Sequence, residues 1–316
     1  MKKIIIKEND ANQRIDRFLS KYMDKAPTNF IQKMLRKKRI KLNGKRAHNS
    51  DVVKINDEIK MYLSEETINK FQSNDYVENV EVNLDIIYED SNIILINKKA
   101  GQIAHSANKE KDSIVEQMQK YLYDKGEYNP KNEKTFKPAI CNRLDINTYG
   151  IIIGAKNYKT LKQINKSIRD KYIKKLYKAI VVGCIKNKKE LHGYLLKDNK
   201  NNKVKIYNDK QKGSKEVLTN IYPIKYNEKF SLIEIDLITG RTHQIRAHLS
   251  SIGNPIIGDK KYGLEKTNQE FKLKGQYLVA YQITFNGLTD DLSYLNGKTF
   301  MANIDNKLNE LEKILF

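Results

Sequence analysis

The sequence has few of the residues that build disulfides, metal centres and membrane spans. Only two of its 316 residues are cysteines, Cys141 and Cys184, and they form no C-x-x-C pair. This indicates neither a disulfide framework nor a zinc ribbon, so we expect two reduced cysteines in the core. The apolar runs are interrupted and too short to span a bilayer or to act as a secretion signal. We therefore expect a cytoplasmic protein that does not bind membranes.

Several cofactor signatures are missing as well. No Walker loop is present and no G-x-G-x-x-G follows a strand, so a nucleotide or S-adenosylmethionine has no visible site. His243 and His248 are five residues apart, and Gln244 stands where the metalloprotease pattern H-E-x-x-H needs a glutamate. The sequence therefore predicts neither a cofactor nor a metal.

Acidic residues are outnumbered throughout the chain. Lys and Arg together number 59 against 38 Asp and Glu, which gives a formal net charge of +21. Such a surplus attracts polyanions, and RNA and DNA are the first candidates. The length predicts two domains, at roughly 150 residues per domain.

The N-terminal segment predicts a basic RNA-binding module. Residues 14–22 have the apolar spacing of an amphipathic helix, a second helix begins at Pro27-Thr28, and Asn43-Gly44 marks a hairpin after a strand. Each single lysine is explained by a solvated face, but a run without an acid can neutralise several phosphates. Eight basic residues and no acid fall between positions 33 and 46: Lys33, Arg36, Lys37, Lys38, Arg39, Lys41, Lys45 and Arg46. The order of elements resembles the small RNA-binding domain named after ribosomal protein S-four, which would cover residues 1–63.

The remaining chain predicts a linker and a larger domain. Residues 64–83 are polar and carry five acids against one base, which is typical of a linker. Residues 84–316 contain many strands and few helices in mixed order. This predicts an α+β domain, a mainly antiparallel sheet flanked by helices. Residues 123–137 are polar and contain Gly126 and Pro130, so we expect an exposed loop there.

Asp145 is the acid around which the larger domain is organised. It follows the apolar residues 139–141 and precedes a turn and the buried-looking run 151–153, which predicts a strand, a loop and a strand. Arg143 stands two positions before it. An ionised aspartate held in this way can act as a nucleophile or base without a metal, although aspartate also commonly just stabilises a turn.

Five stretches resemble one family. N-R-L-D-I-N-T-Y-G-I-I-I-G-A-K (142–156) resembles the catalytic motif H-R-L-D-x-x-T-S-G-L-L-L-x-A-K of the RluA/RluC/RluD family of RNA pseudouridine synthases. The family order is kept by I-N-K-K-A-G-Q-I-A-H (96–105), K-L-Y-K-A-I-V-V-G (175–183), T-G-R-T-H-Q-I-R-A-H-L (239–249) and P-I-I-G-D-K-K-Y-G (255–263). With the N-terminal module, the resemblance covers nearly the whole chain. It is closest to the RluC-like branch, which acts on large-subunit ribosomal RNA.

The resemblance implies a reaction and a set of site residues. It implies that Asp145 is the catalytic aspartate, that Tyr177 packs against the target uracil and that Arg241 is the basic partner of the aspartate. Arg143 would help to take the place of the extruded base. Further contacts with RNA are implied for Lys98, His105, Thr148, His243, Gln244 and Arg246, and for Lys33, Arg36, Lys37, Lys38 and Arg39 in the basic module.

The implied substrate is 23S ribosomal RNA, in which specific uridines would be isomerised to pseudouridine. Two alternatives stay open, a tRNA pseudouridine synthase and a non-catalytic RNA-binding or ribosome-assembly factor of the same fold. We expect a monomer without an obligate protein partner. The sequence departs from the family pattern at three positions, with Lys99 in place of Pro, Asn142 in place of His and Tyr149 in place of Ser. We expect these departures to affect target choice more than the reaction.

Overall fold

The computed structural model forms two compact units. It describes residues 1–73, 80–105, 113–130, 132–198, 203–271, 275–304 and 306–316. Unit 1 comprises residues 1–82, 116–139 and 156–159, and unit 2 comprises residues 83–115, 140–155 and 160–316. Across these described ranges, no helix is both long and apolar enough to cross a membrane.

Unit 1 contains the helices and the hairpin that the sequence predicts. Its elements are β1 (Lys2–Ile5), β2 (Gln13–Arg14), α1 (Ile15–Tyr22), α2 (Thr28–Arg36), β3 (Ile40–Leu42), β4 (Lys45–Arg46), β5 (Val52–Val53), β6 (Glu58–Met61) and α3 (Glu65–Lys70). β1, β6, β3 and β4 form a sheet in that order, and β2 pairs with β5. The apolar faces of α1 and α2 are buried in one core cluster. Asn43 and Gly44 both have positive φ, 50° and 77°, which is typical of a tight hairpin turn.

The predicted linker contains ordered structure. α3 begins after Ser64, whose hydroxyl accepts a hydrogen bond from the N–H of Thr67 at 3.2 Å. Ile68 is 2% exposed and belongs to the same core as α1 and α2. Residues 65–70 are therefore a helix of unit 1 and not an extended connection. Residues 74–79 lie outside the described residues, and the domain boundaries at 63 and 83 stay predictions.

The expectation of an exposed loop at residues 123–137 is wrong for its aromatic residues. Tyr128 and Phe136 are only 5% and 4% exposed. The backbone N–H and the hydroxyl of Thr135 both donate to Oδ1 of the buried Asp10, at 2.8 and 2.7 Å. The polar composition hid these contacts, because their partner lies about 125 residues away along the chain.

The second unit is built on one large sheet. The remaining elements are β7 (Ile86–Glu89), β8 (Ile93–Lys98), α4 (Ile114–Asp124), β9 (Ala139–Ile140), β10 (Tyr149–Ala155), α5 (Tyr158–Arg169), β11 (Ile173–Val182), β12 (Lys189–Asp198), β13 (Lys203–Tyr207), β14 (Lys215–Tyr226), β15 (Phe230–Leu237), α6 (Gln244–Ser251), α7 (Glu265–Glu270), β16 (Leu278–Phe285), β17 (Thr299–Met301) and α8 (Asn306–Leu315).

Nearly all neighbouring strands of this sheet are antiparallel. Among the described residues the sheet has eleven strands, in the order β13-β12-β14-β15-β11-β16-β10-β8-β7, with β17 beside β16 and β9 beside β10. Along that order only β10 and β16 run parallel. The prediction of an α+β fold with a mainly antiparallel sheet and flanking helices is confirmed.

The two faces of the sheet are covered by different helices. On one face, Ile173 of β11 packs in a cluster with Ile164 of α5, and Val217 of β14 packs in a cluster with Ala247 of α6. On the other face, Leu176 of β11 packs in a cluster that includes α8. Because side chains alternate along a strand, odd-numbered residues of β11 point to the α5 and α6 face.

Gly150 allows β10 to approach β16 closely. Its φ is +114°, and a Cβ at this position would lie 2.2 Å from the carbonyl oxygen of Ala280. Of the two cysteines, Cys141 is partly buried, and burial raises the pKa of its thiol to about 12. Cys184 is exposed, so the expectation of a core position is wrong for it. It follows the end of β11 and therefore lies outside the packed strand.

Candidate active site

Asp145 lies in the loop between β9 and β10, as the sequence predicts. The backbone N–H of Thr148 donates to the carbonyl oxygen of Asp145 at 3.0 Å and closes the turn. Leu144 is 8% exposed and anchors the loop to the interior, whereas the Asp145 side chain is 27% exposed. The loop therefore holds the carboxylate at the surface on a fixed backbone.

Lys98, at the end of β8, supports this loop from the protein interior. Its side chain is fully buried, and its ammonium group donates to the carbonyl oxygens of Lys99, Ile146 and Thr148 at 3.0, 2.7 and 2.9 Å. These three bonds use all three N–H groups. Burial lowers the pKa of Lys98 to about 8, and the nearby Asp145 charge opposes this shift. Lys98 thus fixes the backbone immediately after Asp145.

Two further contacts complete the support of the loop. The backbone N–H of Gly101 also donates to the carbonyl oxygen of Ile146, at 2.9 Å. The side-chain amide of Gln276 donates to the hydroxyl of Thr148 at 2.7 Å, and both side chains are buried. The residues after Asp145 are therefore held by the protein interior and cannot easily shift.

Arg246 of α6 joins Asp145 to a second carboxylate. Its Nη1 donates to Oδ2 of Asp145 at 2.7 Å, while Nε and Nη2 donate to the two oxygens of Asp259 at 2.7 and 2.9 Å. Burial raises the pKa of Asp259, but the hydrogen bonds and charge of Arg246 outweigh it and leave that pKa below its usual value. For Arg246 burial lowers the pKa, and the two carboxylates reverse the shift and raise it. The bidentate pair with Asp259 fixes the plane of the guanidinium toward Asp145.

Gln244 anchors the start of α6. Its carbonyl oxygen accepts from the hydroxyl of Thr239 at 2.9 Å and from the backbone N–H of Arg241 at 3.1 Å. Its amide donates to the carbonyl oxygen of Leu218 and to the hydroxyl of Thr219, both at 3.0 Å. Four hydrogen bonds satisfy this buried amide. It therefore ties α6 to β14 and determines where Arg246 emerges.

His243 precedes α6 in a strained conformation beside Asp145. Its φ is +56°, which is uncommon for a residue with a side chain. The hydroxyl of Tyr262 accepts from the N–H of Val204 at 2.9 Å and lies 3.1 Å from Nδ1 of His243, so its proton is free to be donated to Nδ1. This leaves the ring proton on Nε2, which faces Oδ2 of Asp145 at 3.8 Å. Burial lowers the pKa of His243, and the charge of Asp145 acts against it.

Tyr177 of β11 supplies an aromatic ring next to the carboxylate. It is 6% exposed, and it pairs with Ile235 of β15 and Ala280 of β16. Burial, and after it the charge of Asp145, raises the pKa of Tyr177, so the phenol is neutral.

The arrangement leaves one oxygen of the Asp145 carboxylate available. Arg246 and His243 both approach Oδ2, and within the described part of the chain no hydrogen-bond donor contacts Oδ1. A carboxylate held through one oxygen can use the other as a nucleophile or base. Over the same residues, no group of three or more His, Cys, Asp or Glu side chains is placed to hold a metal ion.

Comparison with known proteins identifies the family. The family model described as RNA pseudouridylate synthase matches residues 92–251. An uncharacterized RNA pseudouridine synthase of Mycoplasma capricolum subsp. capricolum is 35% identical over 310 residues, which cover 96% of this chain and 98% of the relative. The chain belongs to the RNA pseudouridylate synthase family.

Two other similar proteins extend this comparison. The ribosomal large subunit pseudouridine synthase C of Buchnera aphidicola subsp. Baizongia pistaciae is 33% identical over 89% of this chain and 88% of its own length. The solved structure of human RNA pseudouridylate synthase domain containing 4 superposes with a TM-score of 0.57 at 20% identity, over 73% of this chain and 92% of that chain. The structural match supports the fold.

The arginine that contacts Asp145 in this pseudouridine synthase is not the one that the resemblance implied. The resemblance implied Arg241 as the partner of Asp145, but Arg241 is exposed and the contact comes from Arg246. Thr242, His243 and the start of α6 separate the two arginines, and the helix directs the second one inward. The roles of Asp145 and Tyr177 in the synthase reaction stay predictions, as does a catalytic role for Arg241.

The residues predicted to contact RNA fall into two groups. Arg143 and His105 are exposed and available to a substrate. Lys98, Thr148 and Gln244 are buried, and their polar groups bond to the protein itself. In this structure the three side chains hold the site, and their contact with RNA stays a prediction. His243 and Arg246 lie against Asp145, and their contact with RNA stays a prediction.

The five basic residues of unit 1 that the sequence predicts to bind RNA are all exposed: Lys33, Arg36, Lys37, Lys38 and Arg39. Lys33 and Arg36 lie on the polar side of α2, and the other three follow its end. Exposure makes them accessible to a polyanion. Their binding of RNA stays a prediction.

The three departures from the family pattern are accommodated locally. The side-chain amide of Asn142 donates to the carbonyl of Ile151 at 3.1 Å and accepts from the N–H of Ile153 at 2.8 Å, so it bonds to β10 as a strand would. The N–H of Lys99 donates to Gln102 at 2.8 Å, a bond that proline could not form. Tyr149 packs against a core cluster.

Sequence reasoning missed two residues that complete the site, Asp259 and Tyr262. Both fall in the stretch 255–263 that resembles the family. An acid placed after a helix that carries an arginine was a signal that an ion pair could form. The hydroxyl of Tyr262 gave no such signal, because its contact with His243 depends on a left-handed backbone.

Proposed function

We propose that the protein isomerises specific uridines of 23S ribosomal RNA to pseudouridine, with Asp145 as the reacting group. The observation that supports this proposal is the ion pair of Asp145 with Arg246, together with a buried tyrosine, Tyr177, whose pKa the charge of Asp145 helps to raise. A uridine in a stacked helix cannot reach such a site, so the nucleotide has to flip out, which costs roughly a few kcal/mol. Stacking on an aromatic side chain recovers about 1–3 kcal/mol per base.

The reaction needs a held uracil and a positioned carboxylate. The bond between N1 and the ribose C1′ breaks, the uracil turns, and C5 bonds to C1′. C5 loses a proton and N1 gains one, so the product is an isomer and no atom is supplied from outside. The contact between Arg246 and Oδ2 leaves Oδ1 of Asp145 for the substrate, and Asp259 keeps Arg246 in place. Such preorganised electrostatics are commonly the largest contribution to catalysis.

Two observations support ribosomal RNA as the substrate. The Buchnera relative at 33% identity is named for the large ribosomal subunit. Unit 1 exposes the basic residues Lys33, Arg36, Lys37, Lys38 and Arg39, which suit a structured polyanion.

The decisive experiment maps pseudouridine in total RNA from cells with and without the gene. We expect specific sites in large-subunit rRNA to be lost, and to be restored by the wild type but not by Asp145→Asn. Asp209→Asn, an exposed aspartate of unit 2, is the control and should restore them. Loss of tRNA sites would overturn the substrate. No lost site anywhere would favour the non-catalytic RNA-binding factor.

A second experiment tests the basic module. Deleting residues 1–63 would expose Ile68, which shares their core, so charge substitution is the better change. Replacing Lys37, Lys38 and Arg39 by Gln should lower the salt dependence of RNA binding by about 0.7–0.9 for each lost phosphate contact. The control replaces Lys210, Lys212 and Lys215, equally exposed residues of unit 2. Equal slopes for the two triple variants would contradict a role for the module.

A further inference from the structure

Lys175 is a lysine on the face of the sheet that carries the active site. It lies on β11, two residues before Tyr177, and it pairs with Ile283 of β16. Ile283 belongs to the core cluster under α5, together with Ile173, the residue two positions before Lys175. The register of β11 against β16 shifts between Leu176 and Tyr177, and the extra residue is Tyr281 of β16. Alternation along β11 itself is therefore kept, and it directs Lys175 to the same face as Tyr177, at a separation of about 7 Å.

Among the described residues, the ammonium group of Lys175 has no counter-charge. The residue is only partly exposed, and burial lowers its pKa with no acid acting against the shift. In the described ranges, no carboxylate forms an ion pair with it and no group accepts a hydrogen bond from it. A partly buried cation without a partner is costly, and we expect it to be retained where a ligand supplies the counter-charge.

Two buried cations of the site, Lys98 and Arg246, differ in this respect. Lys98 donates to three backbone carbonyls, and Arg246 is shared between Asp145 and Asp259. Both are satisfied without a substrate. Lys175 alone among these three is left with its charge uncompensated, on the same face as the ring that would receive the uracil.

We propose that Lys175 binds a backbone phosphate of the target RNA, next to the nucleotide whose base lies against Tyr177. This inference rests on the proposed function, because it takes the flipped nucleotide as the ligand. A flipped nucleotide carries its phosphates with it, and a lysine suits a phosphate as a compact point charge. The phosphate would supply the missing counter-charge of Lys175. Because Lys175 would bind the RNA backbone and not the base, it would act on any flipped uridine.

The chain provides a matched control at the neighbouring position. Lys174 is exposed and lies on the opposite face of β11, where it pairs with Thr284. Lys175→Met and Lys174→Met thus remove the same charge from adjacent residues. Lys175→Arg keeps the charge and serves as the conservative variant.

The first measurement is the salt dependence of binding to a substrate RNA. We expect Lys175→Met to lower the slope of log K against log salt by about 0.7–0.9, the value for one lost phosphate contact. Lys174→Met and Lys175→Arg should keep the wild-type slope. An unchanged slope in Lys175→Met would overturn the proposal.

The second measurement uses an RNA with one neutral methylphosphonate beside the target uridine. We expect it to lower kcat/KM of the wild type and of Lys174→Met by about tenfold. Lys175→Met should lose about tenfold on normal RNA and nothing more on the neutral RNA, because the two changes remove the same contact. Equal losses on the neutral RNA in wild type and Lys175→Met would overturn the assignment.

Stability separates binding from a structural role. Removing an unpaired buried charge should leave Tm of Lys175→Met equal to or above that of the wild type. A lower Tm together with lost activity would assign Lys175 to the fold and overturn the proposal. A wild type that forms no pseudouridine in any RNA would overturn the proposed function, whereas the salt slope would still decide the role of Lys175.

Discussion

Replacing Lys98 by Met should reduce catalysis while leaving the fold nearly as stable. The side chain lies at the end of β8 and bonds to three backbone carbonyls of the segment that follows it or carries Asp145. Met has a similar length and no charge, so it fills the same space without forming these bonds. The change removes the support of the loop and leaves the Asp145 side chain itself intact.

The expected change in stability follows from two opposing contributions. Of the three carbonyls, that of Ile146 keeps its bond to the N–H of Gly101, and that of Lys99 belongs to an exposed residue that water can reach. Only the buried carbonyl of Thr148 is left unpaired, at a cost of about 1–3 kcal/mol. Burial lowers the pKa of Lys98 from 10.5 to about 8, so removing this charge returns about 3 kcal/mol. The free energy of unfolding should therefore change by less than about 2 kcal/mol.

Activity should fall much further, because the carboxylate no longer has a fixed backbone. A misplacement of about 1 Å can cost roughly 10²-fold in rate, and we expect a loss of this order in the single-turnover rate of pseudouridine formation. Denaturant unfolding measures the stability of the same preparations. Lys99→Met, an exposed neighbour, is the control and should match the wild type in both measurements. A Lys98→Met enzyme with wild-type rate would refute the reasoning.

Three further predictions concern pH, backbone packing and the His243 contact. Between about pH 8 and 10.5 the unfolded chain binds more protons at Lys98 than the folded chain does. In urea titrations, the stability of the wild type relative to Lys98→Met should therefore rise across this window. The rate should fall over the same window, because a neutral amine has two N–H groups for three carbonyls. Gly150→Ala should lower the free energy of unfolding by at least about 3 kcal/mol, since strain at φ +114° adds to a 2.2 Å clash. Gly297→Ala, with φ +78° and open space, should lower it by about 1 kcal/mol. Thermal unfolding compares the two variants, and equal losses would contradict the packing argument. Tyr262→Phe leaves the N–H of Val204 unpaired, so this variant should lose about 1–2 kcal/mol of stability. Its kcat/KM should fall less than tenfold, and a larger loss would show that His243 does more than support Asp145.

Local patterns predict those parts of the fold that depend on neighbouring residues. The apolar spacing of α1 and α2 and the Asn43-Gly44 turn arise from contacts within a few positions, and the structure confirms them. The prediction of an exposed loop at residues 123–137 failed because Tyr128 and Phe136 are buried by distant parts of the chain. Composition over a short window cannot reveal such contacts.

The candidate site shows the same division. The ordered motifs bring Asp145, Tyr177 and the stretch 239–249 together, but they do not say which arginine of that stretch turns inward. That choice depends on the positive φ of His243 and on the four hydrogen bonds of Gln244, which set the direction of α6. Lys98 was assigned to RNA for a related reason, because its burial follows from carbonyls about 50 residues further along the chain.

The charges around the site also separate residues that build it from residues that await a substrate. A buried cation satisfied by the protein, such as Lys98 or Arg246, stabilises one geometry and has little left to offer a ligand. A partly buried cation without a counter-charge raises the free energy of the unbound protein. Binding of an anion removes this penalty, so the penalty favours anionic substrates over neutral ones. On this argument Lys175, the first residue of the stretch 175–183, is a stronger candidate for contact with RNA than the buried residues Lys98, Thr148 and Gln244.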